Sequence, residues 1–139
     1  MKLKIKKIHQ DAQLPKKHDE NDAAFDLYSI EEANLTSKQT KIVHTGISME
    51  IPAGYFGKIE TRSSMAFNGI FVTGGVIDSG YRGEIMVILN NFSSQEYKIN
   101  KGDRIAQIVV NRVEPIKVME VDRLDEKNDR GGGLGSSGH

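Results

Sequence analysis

Residues 75–83 contain the combination of side chains best suited to acid–base chemistry. Apolar residues lead to the carboxylate of Asp78 in a glycine-rich turn, and an aromatic ring follows at Tyr81. An aspartate is ionised at neutral pH, so it can accept a proton from a water molecule that attacks a substrate. Asp-Ser-Gly is also a good turn sequence, and a hairpin loop with a capping aspartate explains this stretch about as well.

Two other stretches carry groups that suit an anion. Arg62 is followed by Ser63 and Ser64 at the end of a strand-like run, and guanidinium and hydroxyl groups donate hydrogen bonds to phosphate oxygens. A surface turn with an arginine ion pair is the simpler interpretation of these three residues alone. In residues 101–107 the Asp-Arg pair most simply pins a turn, whereas Gln107 stands on an apolar strand, where a buried amide needs a partner.

Residues 130–139 form a glycine-rich segment that begins with Arg130. Five of these ten residues are glycine, and glycine lets a backbone approach a ligand closely and point successive N–H groups at it. The Arg130 guanidinium adds a forked donor that suits phosphate. Taken alone, this composition is more typical of a solvated tail than of an arm that folds over a phosphate-bearing ligand.

The composition narrows the class of protein. The chain has 139 residues, enough for one domain with a real core, and its formal net charge of zero gives no support for nucleic-acid binding. It has no cysteine and its four histidines lack ligand spacing, so we expect neither disulfides nor a zinc site. No apolar run reaches membrane-spanning length and no signal peptide is recognisable, so we expect a soluble, cytoplasmic protein without membrane contact.

The sequence pattern predicts that these groups are positioned by short β-strands separated by turns. Strands are predicted at residues 2–8, 47–51, 55–61, 84–89, 105–110 and, more weakly, 118–121, with a brief helical turn at 64–67. No long segment keeps a 3.6-residue apolar period, which favours an all-β sandwich or barrel. Lysines alternate with apolar residues in residues 2–8, as on an edge strand. We therefore predict a β domain at residues 1–121, followed by a tether and arm at residues 122–139.

Five stretches, in order along the chain, resemble the five motifs of the trimeric dUTP pyrophosphatases (dUTPases). They are residues 23–29, 62–66, 75–83, 101–107 and the glycine-rich tail. Each is only moderately specific, but the ordered set covers the whole chain, and the third and fourth are the closest. The resemblance implies a jelly-roll-like β domain that assembles as a homotrimer. It also implies active sites between subunits, each closed by the C-terminal arm of one subunit.

The reaction that the resemblance implies is hydrolysis of dUTP to dUMP and pyrophosphate, by attack of water on the α-phosphorus. Such an enzyme limits uracil incorporation into DNA and supplies dUMP for dTTP synthesis. Asp78 matches the residue that activates the water. Mg²⁺ is the implied cofactor, held chiefly by the three phosphates, with Asp26 in its outer shell through water; oxygen ligands and retained waters are typical of this ion.

The resemblance also assigns binding residues. Those at the phosphates are Arg62, Ser63, Ser64, Gln107, Arg130, Gly135, Ser136 and Ser137. Those at the uracil and deoxyribose are Gly75, Val76, Ile77, Tyr81, Met86 and Leu134. Tyr81 lies against the deoxyribose in this scheme, where a 2′-hydroxyl would clash. Leu134 takes the place of a stacking Phe, and it can cover the base by dispersion although it has no π face.

Two alternative functions compete with dUTP hydrolysis. dCTP deaminase shares the fold, and some relatives act as nucleotide-gated regulators of a protein partner. The close third motif with Asp78 favours the pyrophosphatase.

Ordering the ten residues of the arm costs on the order of 10 kcal/mol of backbone entropy. Little apolar surface is present there to offset that cost, so we expect the arm to be disordered without nucleotide.

Overall fold

The computed structural model describes residues 1–135 and Gly138. The assignments of Ser136 and Ser137 to phosphate binding therefore lie outside the described residues. The elements in the described part are β1 (Lys4–Lys7), β2 (Ala24–Tyr28), β3 (Ala33–Leu35), β4 (Thr40–Glu50), β5 (Tyr55–Glu60), α1 (Ser63–Phe67), β6 (Ile70–Thr73), β7 (Val76–Ile77), β8 (Glu84–Asn91), β9 (Tyr97–Ile99) and β10 (Arg104–Arg112). The one helix in this part has five residues, far fewer than a bilayer span requires.

Eight of the described strands form two four-stranded antiparallel sheets. Sheet A has the order β1-β4-β8-β6, and sheet B has the order β2-β10-β5-β7; β3 and β9 form a separate pair. β1 lies at the edge of sheet A, as the lysine alternation predicts. The prediction of an all-β, jelly-roll-like sandwich is confirmed.

The core lies between the two sheets because apolar residues alternate along the strands. Ile85 and Val87 of β8 are buried, and so are Ala106 and Ile108 of β10. Gln107, between the last two, lies only partly buried on the other face of its strand. Since successive side chains of a strand point to opposite faces, each sheet keeps an outer face that is free to carry functional groups.

The strand predictions with the clearest alternation are confirmed, with ends that shift by one or two residues. They are residues 2–8 (β1), 55–61 (β5), 84–89 (β8) and 105–110 (β10). The helical turn predicted at residues 64–67 is also confirmed, as α1. Residues 47–50 are only the last part of the 11-residue β4, whose first part is more polar. The strands β2, β3, β6, β7 and β9 were not predicted, because two to five residues show too little alternation to be recognised.

The predicted strand at residues 118–121 is wrong for the isolated chain. Val118 is 98% exposed, and the segment belongs to no sheet. A strand needs a neighbour for its backbone N–H and C=O groups, and none of the described residues provides one here. We call residues 116–124 the apolar segment, because its exposed members are Ile116, Val118, Met119, Val121 and Leu124.

Candidate active site

The first cavity, which we call the polar cavity, lies on the outer face of sheet B. It encloses about 560 Å³. The predicted residues that line it are Asp26, Arg62, Ser63, Ser64 and Gln107. Strand register explains this grouping, because Gln107 of β10 pairs with Asp26 of β2 on one side and with Glu60 of β5 on the other. These three side chains project from the face opposite the core.

Asp26 holds two arginines at the polar cavity. Its carboxylate accepts a hydrogen bond from Nε of Arg62 at 3.1 Å, and Nη1 of Arg104 lies 3.5 Å from the other oxygen. Nη1 of Arg62 also donates to the backbone carbonyl of Arg104 at 3.4 Å. The Asp26 and Arg62 side chains are only 18% and 20% exposed. The carboxylate therefore fixes the Arg62 guanidinium in a partly desolvated site, where charge interactions are stronger than in water, while Arg104 remains 51% exposed.

The start of α1 presents the two predicted hydroxyls. Ser63 and Ser64 are exposed and line the polar cavity, while Met65 is buried and anchors the helix to the core. The amide of Gln107 donates from Nε2 to the carbonyl of Thr61 at 3.1 Å. The expected partner for this amide is therefore the backbone just before Arg62, and the bond ties β10 to the loop that carries the phosphate-binding candidates.

The second cavity, which we call the apolar cavity, lies beside β7 and the outer face of β8. It encloses about 260 Å³. The predicted residues that line it are Gly75, Val76, Ile77, Asp78, Tyr81 and Met86. Gly75 has φ of +93°, and a Cβ there would lie 3.0 Å from both Cβ and the carbonyl oxygen of Ile59. Glycine at this position thus lets the β6–β7 connection lie directly against β5, and the Ile59 N–H donates to the Gly75 carbonyl at 2.8 Å.

Asp78 and Tyr81 are held by one turn at the rim of the apolar cavity. The Tyr81 N–H donates to the Asp78 carbonyl at 3.0 Å, and the Arg82 guanidinium donates to the Ser79 carbonyl at 2.6 Å. Both Asp78 and Tyr81 are exposed to solvent. The turn therefore presents an accessible carboxylate and an aromatic ring to the same space, with a well-supported backbone beneath them.

A histidine and a glutamate form an ion pair at the rim of the apolar cavity. Nδ1 of His44 lies 2.9 Å from the carboxylate of Glu84, a residue that lines this cavity. The hydrogen bond with Glu84 raises the pKa of His44 above its ordinary value, and the negative charges of Glu84 and Glu31 act in the same direction. Partial burial opposes this increase.

Within one chain the predicted residues are divided between the two cavities. Ile59 lines the apolar cavity, whereas Glu60, the next residue of β5, lines the polar cavity. Since neighbouring residues of a strand face opposite ways, β5 separates the two spaces. Asp78 therefore lines one cavity and Arg62 lines the other.

The described residues of the arm join neither cavity. Arg130, Leu134 and Gly135 are exposed, and they are absent from the linings of both spaces. Gly131, Gly132 and Gly135 have positive φ, and the carboxylate of Asp129 accepts a hydrogen bond from the Gly131 N–H at 2.8 Å. The described part of the arm thus uses backbone conformations that favour glycine.

Arg104 and Glu84 are candidates that the sequence analysis missed. The Asp-Arg pair at 103–104 was interpreted as pinning a turn, but only Asp103 does so, accepting from the Asn100 N–H at 2.8 Å. Arg104 instead pairs with Asp26. Its place beside Gln107 in the fourth motif was the available signal, whereas nothing in the sequence links Glu84 to His44 across 40 positions.

The polar cavity fits an outer-shell magnesium site better than a protein cage. Asp26 offers carboxylate oxygens, the ligand type that Mg²⁺ prefers, but both oxygens already face guanidinium groups. Among the described residues, no three His, Cys, Asp or Glu side chains are grouped so as to hold a metal. These residues suit an ion whose main ligands come from elsewhere.

Comparison with known proteins assigns the chain to a family. The dUTPase family model matches residues 10–138. The deoxyuridine 5'-triphosphate nucleotidohydrolase of Nautilia profundicola is 44% identical over 141 residues, covering 99% of each chain. The structure of Staphylococcus bacteriophage 80alpha dUTPase with dUPNHPP matches with a TM-score of 0.91 and 25% identity, covering 99% of each chain. A mutant dUTPase from phage phi11 of S. aureus, solved with a structural Mg(II) ion, matches with a TM-score of 0.84 and 22% identity, covering 90% of this chain and 99% of the other. The chain therefore belongs to the dUTPase family.

Proposed function

We propose that this protein hydrolyses dUTP to dUMP and pyrophosphate. The observation that carries the proposal is the sorting of the predicted residues into two cavities of opposite character. One contains the arginines, hydroxyls and amide that suit a triphosphate, and the other contains an accessible carboxylate and a ring beside apolar side chains. Family membership and the name of the Nautilia profundicola relative support the same substrate.

Asp78 is the general base in this proposal. Its carboxylate is exposed at the rim of the apolar cavity, so a water molecule can reach it and lose a proton to it as its oxygen attacks the α-phosphorus. Proton transfer of this kind typically contributes 10²- to 10⁴-fold to a rate. The bond between the α-phosphorus and the bridging oxygen breaks, and pyrophosphate leaves.

The phosphates are bound, in this proposal, by Arg62, Ser63, Ser64 and Gln107. Phosphoryl transfer depends mainly on positioning and on stabilising charge that spreads over the phosphate oxygens. The ion pair with Asp26 holds the Arg62 side chain in place before the substrate arrives, so less side-chain entropy is lost on binding. The Ser63 and Ser64 hydroxyls are exposed and can donate without breaking a bond to the core.

Mg²⁺ bound to the triphosphate would neutralise part of its charge. Asp26 is the residue that would hold the ion, through water, because it is the predicted carboxylate in the polar cavity. Asp26 already contacts two arginines, so the substrate and the ion would lie beside these cations around the same carboxylate.

The C-terminal arm closes over the nucleotide in this proposal. Its assigned members are Arg130, Leu134, Gly135, Ser136 and Ser137.

The protein works as a homotrimer with active sites between its copies. One chain places Asp78 and Arg62 in different cavities, so a complete site needs the apolar cavity of one copy to face the polar cavity of another. The apolar segment supports this assembly, because no described part of its own chain covers it. Burying such side chains stabilises an interface by about 25 cal/mol for each Å² of apolar surface.

A product assay tests the reaction. Purified protein is incubated with Mg²⁺ and, separately, with dUTP, dCTP or UTP, while pyrophosphate and ammonia are measured. Pyrophosphate from dUTP alone is the expected result, and ammonia from dCTP would point to the deaminase instead. Light scattering on the same sample should give a mass of three chains, whereas a fully active monomer would contradict the shared site.

Tyr81 gives the proposal a specificity test. Its ring stands where a 2′-hydroxyl of a ribonucleotide would clash, so Tyr81→Ala should increase kcat/KM for UTP relative to dUTP. We expect an increase of roughly tenfold, the size expected when a single pocket contact decides between two substrates. An unchanged ratio in a folded variant would dismiss this role while leaving dUTP hydrolysis in place.

A further inference from the structure

The hydroxyl of Tyr81 is tethered to the start of β8. It donates to the backbone carbonyl of Glu84 at 2.9 Å. Gly83 makes this possible, because a Cβ at that position would lie 2.5 Å from the Tyr81 hydroxyl oxygen. The ring therefore crosses closely over Gly83, and its position depends on where the Glu84 backbone is held.

The side chain of Glu84 is in turn fixed to β4. One carboxylate oxygen accepts from the Gly46 N–H at 2.9 Å, and the other lies 2.9 Å from Nδ1 of His44. The side chain is 21% exposed. Glu84 thus connects β4 to the Tyr81 turn: its carboxylate binds β4, and its backbone carbonyl accepts from the Tyr81 hydroxyl.

The backbone of β4 explains why a side chain is needed at this place. The register between β4 and β8 shifts between His44 and Ser48, so the regular ladder is interrupted there. Gly46 lies in the interruption with φ of +67°. Its N–H therefore bonds a carboxylate where a regular strand would offer a carbonyl, and the Thr45 hydroxyl similarly donates to the Ile85 carbonyl.

We propose that Glu84 is a positioning residue for Tyr81, and that its anchorage on β4 sets how strongly the site rejects a ribonucleotide. This inference rests on the proposed function and goes beyond it, because Glu84 acts through Tyr81 rather than on the substrate. Loss of the anchor lets the Glu84 backbone and the ring shift, and a displacement of about 1 Å can change a rate by up to 100-fold.

The experiment measures kcat/KM for dUTP and for UTP in matched variants. Glu84→Ala removes both carboxylate bonds and should lower the preference for dUTP roughly tenfold. Glu84→Gln keeps an oxygen for the Gly46 N–H and an amide that can donate to neutral His44, so it should restore most of the preference. Glu50→Ala is the control, since it breaks the ion pair with Lys4, also 2.9 Å long, at the other end of β4.

A double-mutant cycle separates positioning from general damage. Tyr81→Phe keeps the ring and removes the tethered hydroxyl, so adding Glu84→Ala to it should change the dUTP preference by less than about twofold. Circular dichroism and a melting curve establish that each variant is folded. If Glu84→Ala lowers both kcat/KM values equally, or if the two changes are additive in the cycle, the positioning role is wrong.

The outcome for the inference differs from the outcome for the proposed function. Wild-type protein that releases no pyrophosphate from dUTP refutes the function itself. Wild-type protein that hydrolyses dUTP, combined with an unchanged preference in Glu84→Ala, refutes only the role of Glu84.

Discussion

The polar and apolar cavities are built in different ways although β5 contributes to both. The polar cavity is made of charged side chains that hold one another, with Asp26 between Arg62 and Arg104. The apolar cavity is lined mostly by apolar side chains, and backbone contacts fix its wall, with Gly75 against β5 and Tyr81 supported by a turn. The first can bind charge and the second can select shape, which are the two tasks that a nucleoside triphosphate presents.

The division also explains why neither region is sufficient. Charge binding without the apolar cavity would accept any nucleoside triphosphate, since phosphates are the same in all of them. Shape selection without the polar cavity would lack the electrostatic stabilisation that usually contributes most to such a reaction. Variants that damage one cavity and spare the other should therefore have different kinetic signatures.

The largest expected effect comes from removing the base. Asp78→Asn keeps the size and shape of the side chain but cannot accept the proton, so kcat should fall by about 10²- to 10⁴-fold. The affinity for dUTP should remain within a few-fold of the wild-type value, because the polar cavity is untouched. Pyrophosphate release and equilibrium binding measure the two quantities, and near-normal turnover would show that another group takes the proton.

Mixing variants tests whether the two cavities come from different copies. Asp78→Asn and Arg62→Gln chains are refolded together in equal amounts and assayed at a dUTP concentration well below KM, where each variant alone has low activity. Random assembly of head-to-tail sites should restore about one quarter of the wild-type activity, because a site is intact when each copy contributes its undamaged cavity. A refolded mixture that remains as inactive as its components would place the whole site in one chain.

Arg62→Gln alone should have the next largest effect, on substrate binding. Hydrogen bonds to charged groups are each worth about 1.5–3 kcal/mol, so KM for dUTP should increase by about 10- to 100-fold. The loss also leaves Asp26 with a single arginine nearby, Arg104. Steady-state kinetics check this, with Lys4→Gln as a control that breaks an exposed ion pair on sheet A; an equal change in both would indicate a general effect of charge.

Gly75→Ala should damage the apolar cavity selectively. Its φ of +93° and the 3.0 Å approach to Ile59 make any side chain strained there, at a cost of about 1–3 kcal/mol. We expect a lower melting temperature and a higher KM for dUTP, while inhibition by inorganic triphosphate stays unchanged because it needs only the polar cavity. Gly80→Ala, in the turn that follows β7, is the control, since a Cβ there meets nothing within 4 Å.

The sequence predicted the groups of each cavity better than the elements that carry them. Strands with sustained apolar alternation, such as β8 and β10, were recognisable, because alternation reports burial on one face. β7 has only two residues and was not recognisable, yet its pairing with β5 helps to form the apolar cavity. Its existence depends on a partner 18–20 residues earlier in the chain, which local patterns do not encode.

The division of the site between two cavities was also beyond sequence reasoning within one chain. The resemblance to the family motifs predicts that Arg62 and Asp78 serve one function, but not that β5 separates them. The anchor of Glu84 was missed for the same reason, since its partners His44 and Gly46 lie 40 and 38 positions away. Long-range pairing across a strand interruption has no signature in the local composition.

The smallest expected effect concerns the stability of the anchor beside the apolar cavity. The hydrogen bond with Glu84, helped by the charges of Glu84 and Glu31, raises the pKa of His44 above its ordinary value of 6.5. Because the folded state binds this proton more tightly than the unfolded state, the stabilisation is complete below pH 6.5 and is lost as the pH rises through the folded-state pKa.

We therefore expect the urea midpoint of the wild-type protein to fall between about pH 6 and about pH 8 by more than that of His44→Gln. Glutamine keeps a donor for Glu84 but does not titrate, so the difference between the two curves isolates His44 from the other histidines. The difference should be small, because the His44 side chain is 42% exposed and the solvent screens the pair. Parallel curves would mean that the pair contributes no proton-linked stability, and the Gly46 N–H would then be the main anchor of the Glu84 carboxylate.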